Sequence, residues 1–139
     1  MASLPSTTTS EARAINRLKR RPEFLRAARQ GTKWVAAGLI VQARQRKAGE
    51  NPGEGGDNAV RVGFTVTKKV GNAVIRNRVR RRLKAVAGEV LPRRIVGGQD
   101  LVIIGRMATI KRDYAALKKD LKTAIRKLKI STLEDGGDK

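Results

Sequence analysis

The amino-acid sequence predicts a single α+β domain, an α/β sandwich in the order α-β-β-β-α-β-α with helices packed on a four-stranded sheet. Three observations predict it. Residues 60–67, VRVGFTVT, alternate apolar and polar positions without a fault, the pattern of a half-buried strand. Residues 76–84, RNRVRRRLK, set Val79 and Leu83 at helical spacing among six cations. Finally, Tyr114, Leu117, Leu121, Ile125 and Leu128 recur at steps of three and four, the period of an amphipathic helix.

The first element is a short helix from Pro22, with Glu23, Phe24, Leu25, Ala27 and Ala28 following and Gly31 just past its end, since proline suits the first helical turn and glycine the exit. KWVAAGLIVQAR, residues 33–44, favours strand and has a bend at Gly38, so it reads as one strand or two short ones. Residues 47–58, KAGENPGEGGDN, have the glycine-rich, acidic composition of a mobile loop; no helix start follows, so their glycines are not a phosphate loop. After the 60–67 strand, Asn72 is a cap for a helix that runs to about Ala87, before Gly88 and Pro92. LVIIG, residues 101–105, is a buried strand, and the last helix begins at Tyr114. Residues 15–130 therefore form the domain. Residues 1–14 are expected to be a disordered leader, with an organellar transit peptide as the other reading, and residues 131–139 a loose polar tail.

Charge narrows the function. The 139 residues carry a formal net charge of +20, from 32 Lys and Arg against 12 Asp and Glu, a self-repulsion that calls for a polyanionic partner. No apolar run approaches the roughly 18 residues needed to span a membrane. There is no cysteine and no histidine, which removes disulfides, thiolate nucleophiles, imidazole bases and cysteine-ligated zinc, and makes the cytoplasm the expected compartment. The carboxylates are scattered, and no two fall where a metal site is easily drawn.

On a helical projection Ile75, Val79, Leu83 and Val86 lie within about 80° of one another. Arg76, Arg80 and Lys84 flank that stripe on one side, Arg78 and Arg82 on the other, and Asn77 with Arg81 lies opposite. Like charges four apart each cost roughly 0.2 to 0.5 kcal/mol. A solvated charged face normally mixes signs, yet between Asn58 and Gly88 there is no acid and there are nine cations, so a polyphosphate partner is the expected function of this helix. Lys68 and Lys69, just before the helix start, can add side-chain and dipole attraction for a phosphate or simply make an exposed turn. On physical grounds alone Phe24 reads as a core residue of the first helix and Trp34 as a packing residue.

The run RVGFTVTKKVGNAVIRNRVRRRLKAV, residues 61–86, resembles the signature of the bacterial ribonuclease P protein component, and RLKRRPEFLRAARQG, residues 17–31, is similar to that family's opening helix. The resemblance implies a sheet with a left-handed crossover, and a subunit that helps a catalytic RNA remove the 5′ leader of precursor tRNA, with Mg²⁺ held mainly by the RNA. It assigns Arg76, Asn77, Arg78, Arg80, Arg81, Arg82 and Lys84 to the catalytic RNA. It assigns Phe24, Gln42, Arg61, Thr65, Thr67, Lys68 and Lys69 to the cleft that holds the leader. The sequence departs from the family where Ala28 and Gln42 stand at positions that often carry aromatics. A structural ribosomal protein is the alternative.

Overall fold

The computed structural model describes residues 15–18, 21–46, 59–95 and 97–130. The expected leader at 1–14, the loop at 47–58 and the tail at 131–139 lie outside the described residues. In chain order the elements are β1 (Ile15–Arg17), α1 (Arg21–Gln30), β2 (Thr32–Val35), β3 (Leu39–Gln45), β4 (Val60–Thr65), α2 (Ala73–Arg94), β5 (Gln99–Gly105), a 3₁₀ turn (Met107–Ile110) and α3 (Tyr114–Lys127).

The α+β class stands, but the sheet has five strands rather than four, in the order β1-β4-β5-β3-β2. The added strand is β1, INR, which runs parallel to β4 with Ile15 opposite Val60 and Arg17 opposite Val62. Three residues hold no legible period, so its extended form comes from the edge of β4. That pairing continues one residue further, where Leu18 N–H donates to the Val62 carbonyl at 3.0 Å. β4 and β5 are also parallel, while β3 is antiparallel to both β5 and β2.

The 33–44 segment makes two strands joined at Ala36 to Gly38. Gly38 suits this turn, since a Cβ there would come 2.5 Å from the Leu117 side chain and 2.7 Å from that of Asp120 and would push both aside. Its N–H donates to Asp120 Oδ2 at 3.0 Å, and Thr109 Oγ1 donates to its carbonyl at 2.6 Å, which fastens the β2–β3 turn to α3 and the 3₁₀ turn.

α2 departs furthest from its expected length. It begins as predicted, with Asn72 Oδ1 accepting from the Ile75 N–H at 3.0 Å, but it passes Gly88 and takes Pro92 inside itself to end at Arg94. Local propensity opposes this by about 1 kcal/mol for Gly and more for Pro. Burial outweighs that cost, because Val86, Ala87, Val90 and Leu91 are all buried along the same seam and Ile95 follows them.

One sheet face carries the main core. Leu39, Val41, Val60, Val62, Leu101 and Ile103 pack beneath Val79, Leu83, Val86 and Leu91 of α2 and Leu117, Leu121 and Ile125 of α3. Trp34 packs at its margin, with Lys127 Nζ 5.8 Å from the ring centroid. Phe64 is only half-buried there, because the short strand β1 is all that lies beyond it at that edge. Among the described residues the other face is covered by the ten-residue α1, through a small cluster of Leu18, Ala27 and Val102 with Phe24 and Ile104 against it. The two layers of unequal extent leave part of the second face open.

α2 and α3 are clasped at their outer edge. Tyr114 Oη donates to Glu89 Oε2 at 2.6 Å and Lys118 Nζ lies 3.0 Å from Glu89 Oε1. These partners, Tyr114 first, hold the Glu89 carboxyl below its usual range, so the clasp is present above the ordinary glutamate pKa and is lost as pH falls through the lowered one.

Candidate nucleic-acid interface

The cationic helix divides into an outward surface and inward straps. Asn77, Arg78, Arg81 and Lys84 are exposed, whereas Arg76, Arg80 and Arg82 are half-buried. Arg76 Nη1 donates to the Gly71 carbonyl at 3.2 Å and Arg80 Nη1 to Asn77 Oδ1 at 3.1 Å, which steadies both guanidiniums along the helix surface. Arg82 differs from its expected place as an RNA contact. Its Nη2 donates to the Arg112 carbonyl, so it straps α2 to the segment that leads into α3. The reason is angular: two residues beyond Arg80, its side chain falls toward α3 rather than away from the domain.

Thr67, Lys68 and Lys69 are exposed in the turn that joins β4 to α2, a turn closed by Val70 N–H on the Thr67 carbonyl at 3.1 Å and Gly71 N–H on the Lys68 carbonyl at 3.2 Å. The two lysines therefore stand between the end of β4 and the first turn of the cationic helix. Both can meet a phosphate there together with the helix N-terminus.

The open part of the second sheet face makes a groove. Strand alternation puts Gly63, Val102 and Gln42 in one row across β4, β5 and β3, and Thr65, Ile104, Ile40 and Val35 in the next. Phe24 of α1 lies over Gly63, where a Cβ would come 2.4 Å from its ring. The ring is half-buried against Leu18, Ala27 and Val102, so both readings of Phe24 hold together: it packs with one side and leaves the other toward the groove. Phe24, Gln42 and Thr65 all border this groove. Ala28 is exposed on the same helix, so Phe24 is the groove's aromatic among the described residues. Sequence reasoning missed the apolar floor of Ile40, Ile104 and Val35, the last 50% exposed; an exposed valine beside a strand pair was the available signal.

Gly63→Ala is expected to keep the fold and displace the Phe24 ring, since the severe clash, at 2.4 Å, is with the far end of that side chain, while Leu18 Cβ at 3.1 Å need give only slightly. A near-native melting curve with altered Phe24 aromatic proton shifts is the expected outcome, and a collapse of the melt would show that the glycine serves backbone packing instead.

Arg61 corrects a second expectation. Although it shares a strand face with Gly63 and Thr65, it is 8% exposed and does not open on the groove. Its Nε and Nη2 donate to Asp100 Oδ1 and Oδ2 at 2.8 and 2.7 Å, and its Nη1 donates to Glu23 Oε2 at 2.8 Å. Arg46 Nη1 adds a third cationic contact to Asp100 Oδ1 at 2.6 Å, and its Nη2 donates to the Ala59 carbonyl at 2.5 Å. The Asp100 hydrogen bonds hold the Arg61 guanidinium above its usual pKa range, which keeps it cationic throughout the stable pH range. A buried guanidinium needs carboxylates at fork geometry, and Asp100 and Glu23 supply them.

The described residues contain no group of three His, Cys, Asp or Glu able to hold a metal ion. The carboxylates of Glu23, Asp100, Asp120 and Glu89 are engaged with Arg61, Arg46, Arg112 and Lys118. This donor set does not fit a resident Mg²⁺. No described helix is long and apolar enough to cross a membrane.

A mixed sheet with α2 and α3 on one face and the short α1 on the other, a cationic outer surface on α2 and an apolar, aromatic-edged groove beside α1 make an α+β protein with surfaces suited to RNA. Comparison with known proteins gives the family. The ribonuclease P family model matches residues 13–129. The ribonuclease P protein component of Paramagnetospirillum magneticum is 45% identical over 84% of this chain and 85% of its own. That of Ruegeria pomeroyi is 45% identical over 89% and 94%. In fold, the chain is similar to the Staphylococcus aureus RNase P protein, with a TM-score of 0.64 and 23% identity over 82% of this chain and 95% of that one. The Thermotoga maritima RNase P protein gives 0.61 and 24% over 77% and 94%. The chain belongs to the ribonuclease P protein component family and is thus the protein component of a ribonuclease, not a ribosomal protein.

Proposed function

We propose that this chain binds the catalytic RNA of ribonuclease P through the outer surface of α2 and the single-stranded 5′ leader of precursor tRNA through the groove, promoting cleavage that the RNA performs in the cytoplasm. The observation that carries this reading is the separation of two unlike surfaces. Arg78, Arg81 and Lys84 offer exposed point charges suited to the phosphates of a folded RNA. The groove offers Phe24, an apolar floor and the Thr65 hydroxyl, suited to bases of an unpaired strand, with Lys68 and Lys69 at its rim for phosphates. In this proposal the RNA supplies the base and nucleophile activation that cleavage needs, and the Mg²⁺ is carried by RNA phosphate oxygens.

The test is reconstitution with a bacterial ribonuclease P RNA at low Mg²⁺. Protein and RNA together should release the leader from precursor tRNA, and protein alone should release none; turnover by RNA-free protein would overturn the assignment. Phe24→Ala should weaken leader-bearing substrate by about 1 to 3 kcal/mol, the worth of one base stack, and leave mature tRNA binding unchanged. Thr65→Val, which removes a hydroxyl without adding bulk, should cost roughly 0.5 to 1.5 kcal/mol on the same substrate. Equal losses on both substrates would remove the leader from the groove.

A further inference from the structure

α1 is held to the sheet by little apolar contact. Of its ten residues only Glu23 and Ala27 are fully buried, and apart from Ala27 its main apolar contact is the half-buried Phe24 ring itself. The placing of that ring is therefore assisted by polar pins at the two ends of the helix. At the C-terminal end, Arg44 Nε donates to Gln30 Oε1 at 3.0 Å. At the N-terminal end, Glu23 Oε2 accepts from Arg61 Nη1 at 2.8 Å, and the Glu23 and Arg61 side chains are 6% and 9% exposed. Arg61 is itself immobilised from the other side by two bonds to Asp100. A planar guanidinium gripped through a fork transmits orientation as well as charge. Phe24 is the next residue after Glu23, and its ring passes so close to Gly63 that a Cβ would not fit.

We infer that Glu23 is a positioning residue for leader binding: through the Arg61 and Asp100 pair it fixes α1 on the sheet and so sets where the Phe24 ring stands in the groove. This rests on the groove holding the leader. Glu23 touches no nucleotide in this scheme; it acts through Phe24. The sequence disguised the role, because an acid in a first helical turn reads as an ordinary complement to the helix dipole. Burial and the partner thirty-eight residues away on β4 give it a different task.

The experiment uses the assembled protein and RNA and measures affinity for precursor tRNA with and without its leader, for Glu23→Ala, Phe24→Ala and the double variant. Glu23 is the member to change because Arg61 keeps Asp100 as its counter-ion when Glu23 is gone. Glu23→Ala should lower leader-dependent affinity about three- to tenfold while leaving leaderless binding and assembly with the RNA at wild-type values. The double variant should match Phe24→Ala alone, since misplacing an absent ring has no further effect. Glu23→Gln, which keeps the shape and one acceptor but loses the charge on Arg61, should lower leader-dependent affinity by a smaller, about two- to threefold, step and leave leaderless binding unchanged, so it carries the test if Glu23→Ala fails to fold. If Phe24→Ala weakens leader binding and neither Glu23 variant does, the positioning role is wrong and the groove stands. Additive losses in the double variant would likewise overturn it, because Glu23 would then act independently of Phe24. If Phe24→Ala itself is silent, the groove assignment fails and this inference falls with it.

Discussion

Asp100→Ala lowers the melting temperature by about 10 to 20 °C, the expected consequence of losing roughly 3 to 5 kcal/mol when one partner leaves a buried ion cluster. The carboxylate is 4% exposed and faces two guanidiniums, Arg46 and Arg61, at 2.6 and 2.7 Å. Removing it leaves Arg61 to Glu23, with two cations close together in a protein already at +20. The cluster also joins β4, β5, α1 and Arg46 just past the end of β3, so its loss loosens several elements at once. Asp100→Asn should fall between wild type and Asp100→Ala, because it keeps the volume and an acceptor but not the charge. Thermal melts followed by circular dichroism decide the matter. A shift of only a few degrees would mean that water reaches the guanidiniums and shares their solvation.

Replacing Arg76, Arg78, Arg80 and Arg81 together by alanine is expected to flatten the salt dependence of RNA binding without harming the fold. If each guanidinium neutralises one phosphate, the slope of log K against log salt should become less steep by about 3 to 3.5, at about 0.7 to 0.9 for each phosphate no longer neutralised. Affinity near physiological salt should fall by several orders of magnitude, since those charges supply most of the sequence-independent attraction. Stability should hold or rise. None of the four is buried, the core stripe of Val79, Leu83 and Val86 is untouched, and alanine is the better helix former. Titrations of the catalytic RNA at several salt concentrations test this directly. An unchanged slope would make the helix surface a bystander and move the RNA-binding surface elsewhere on the protein.

The sequence by itself determined the alternation of helices and strands and the charge of α2. It also pointed to the family, through one ordered run from the glycine-bearing strand to the arginine helix. These are local properties: a period of two or 3.6, a cap at Asn72 and a density of cations are complete within a dozen neighbouring residues. What the tertiary structure alone decided depends on partners far along the chain. β1 is a strand because β4 offers its edge, and α2 continues through Gly88 and Pro92 because Val90, Leu91 and Ile95 have a core to enter. Arg82 and Arg61 look like RNA-binding residues in sequence, yet one turns to the Arg112 carbonyl thirty residues on and the other to Asp100 thirty-nine residues on. Charge is written in the sequence, but whether a cation faces phosphate or a buried carboxylate is settled by desolvation. A guanidinium drawn into the interior must find its counter-ion there, and only the packed chain brings Glu23 and Asp100 to meet Arg61.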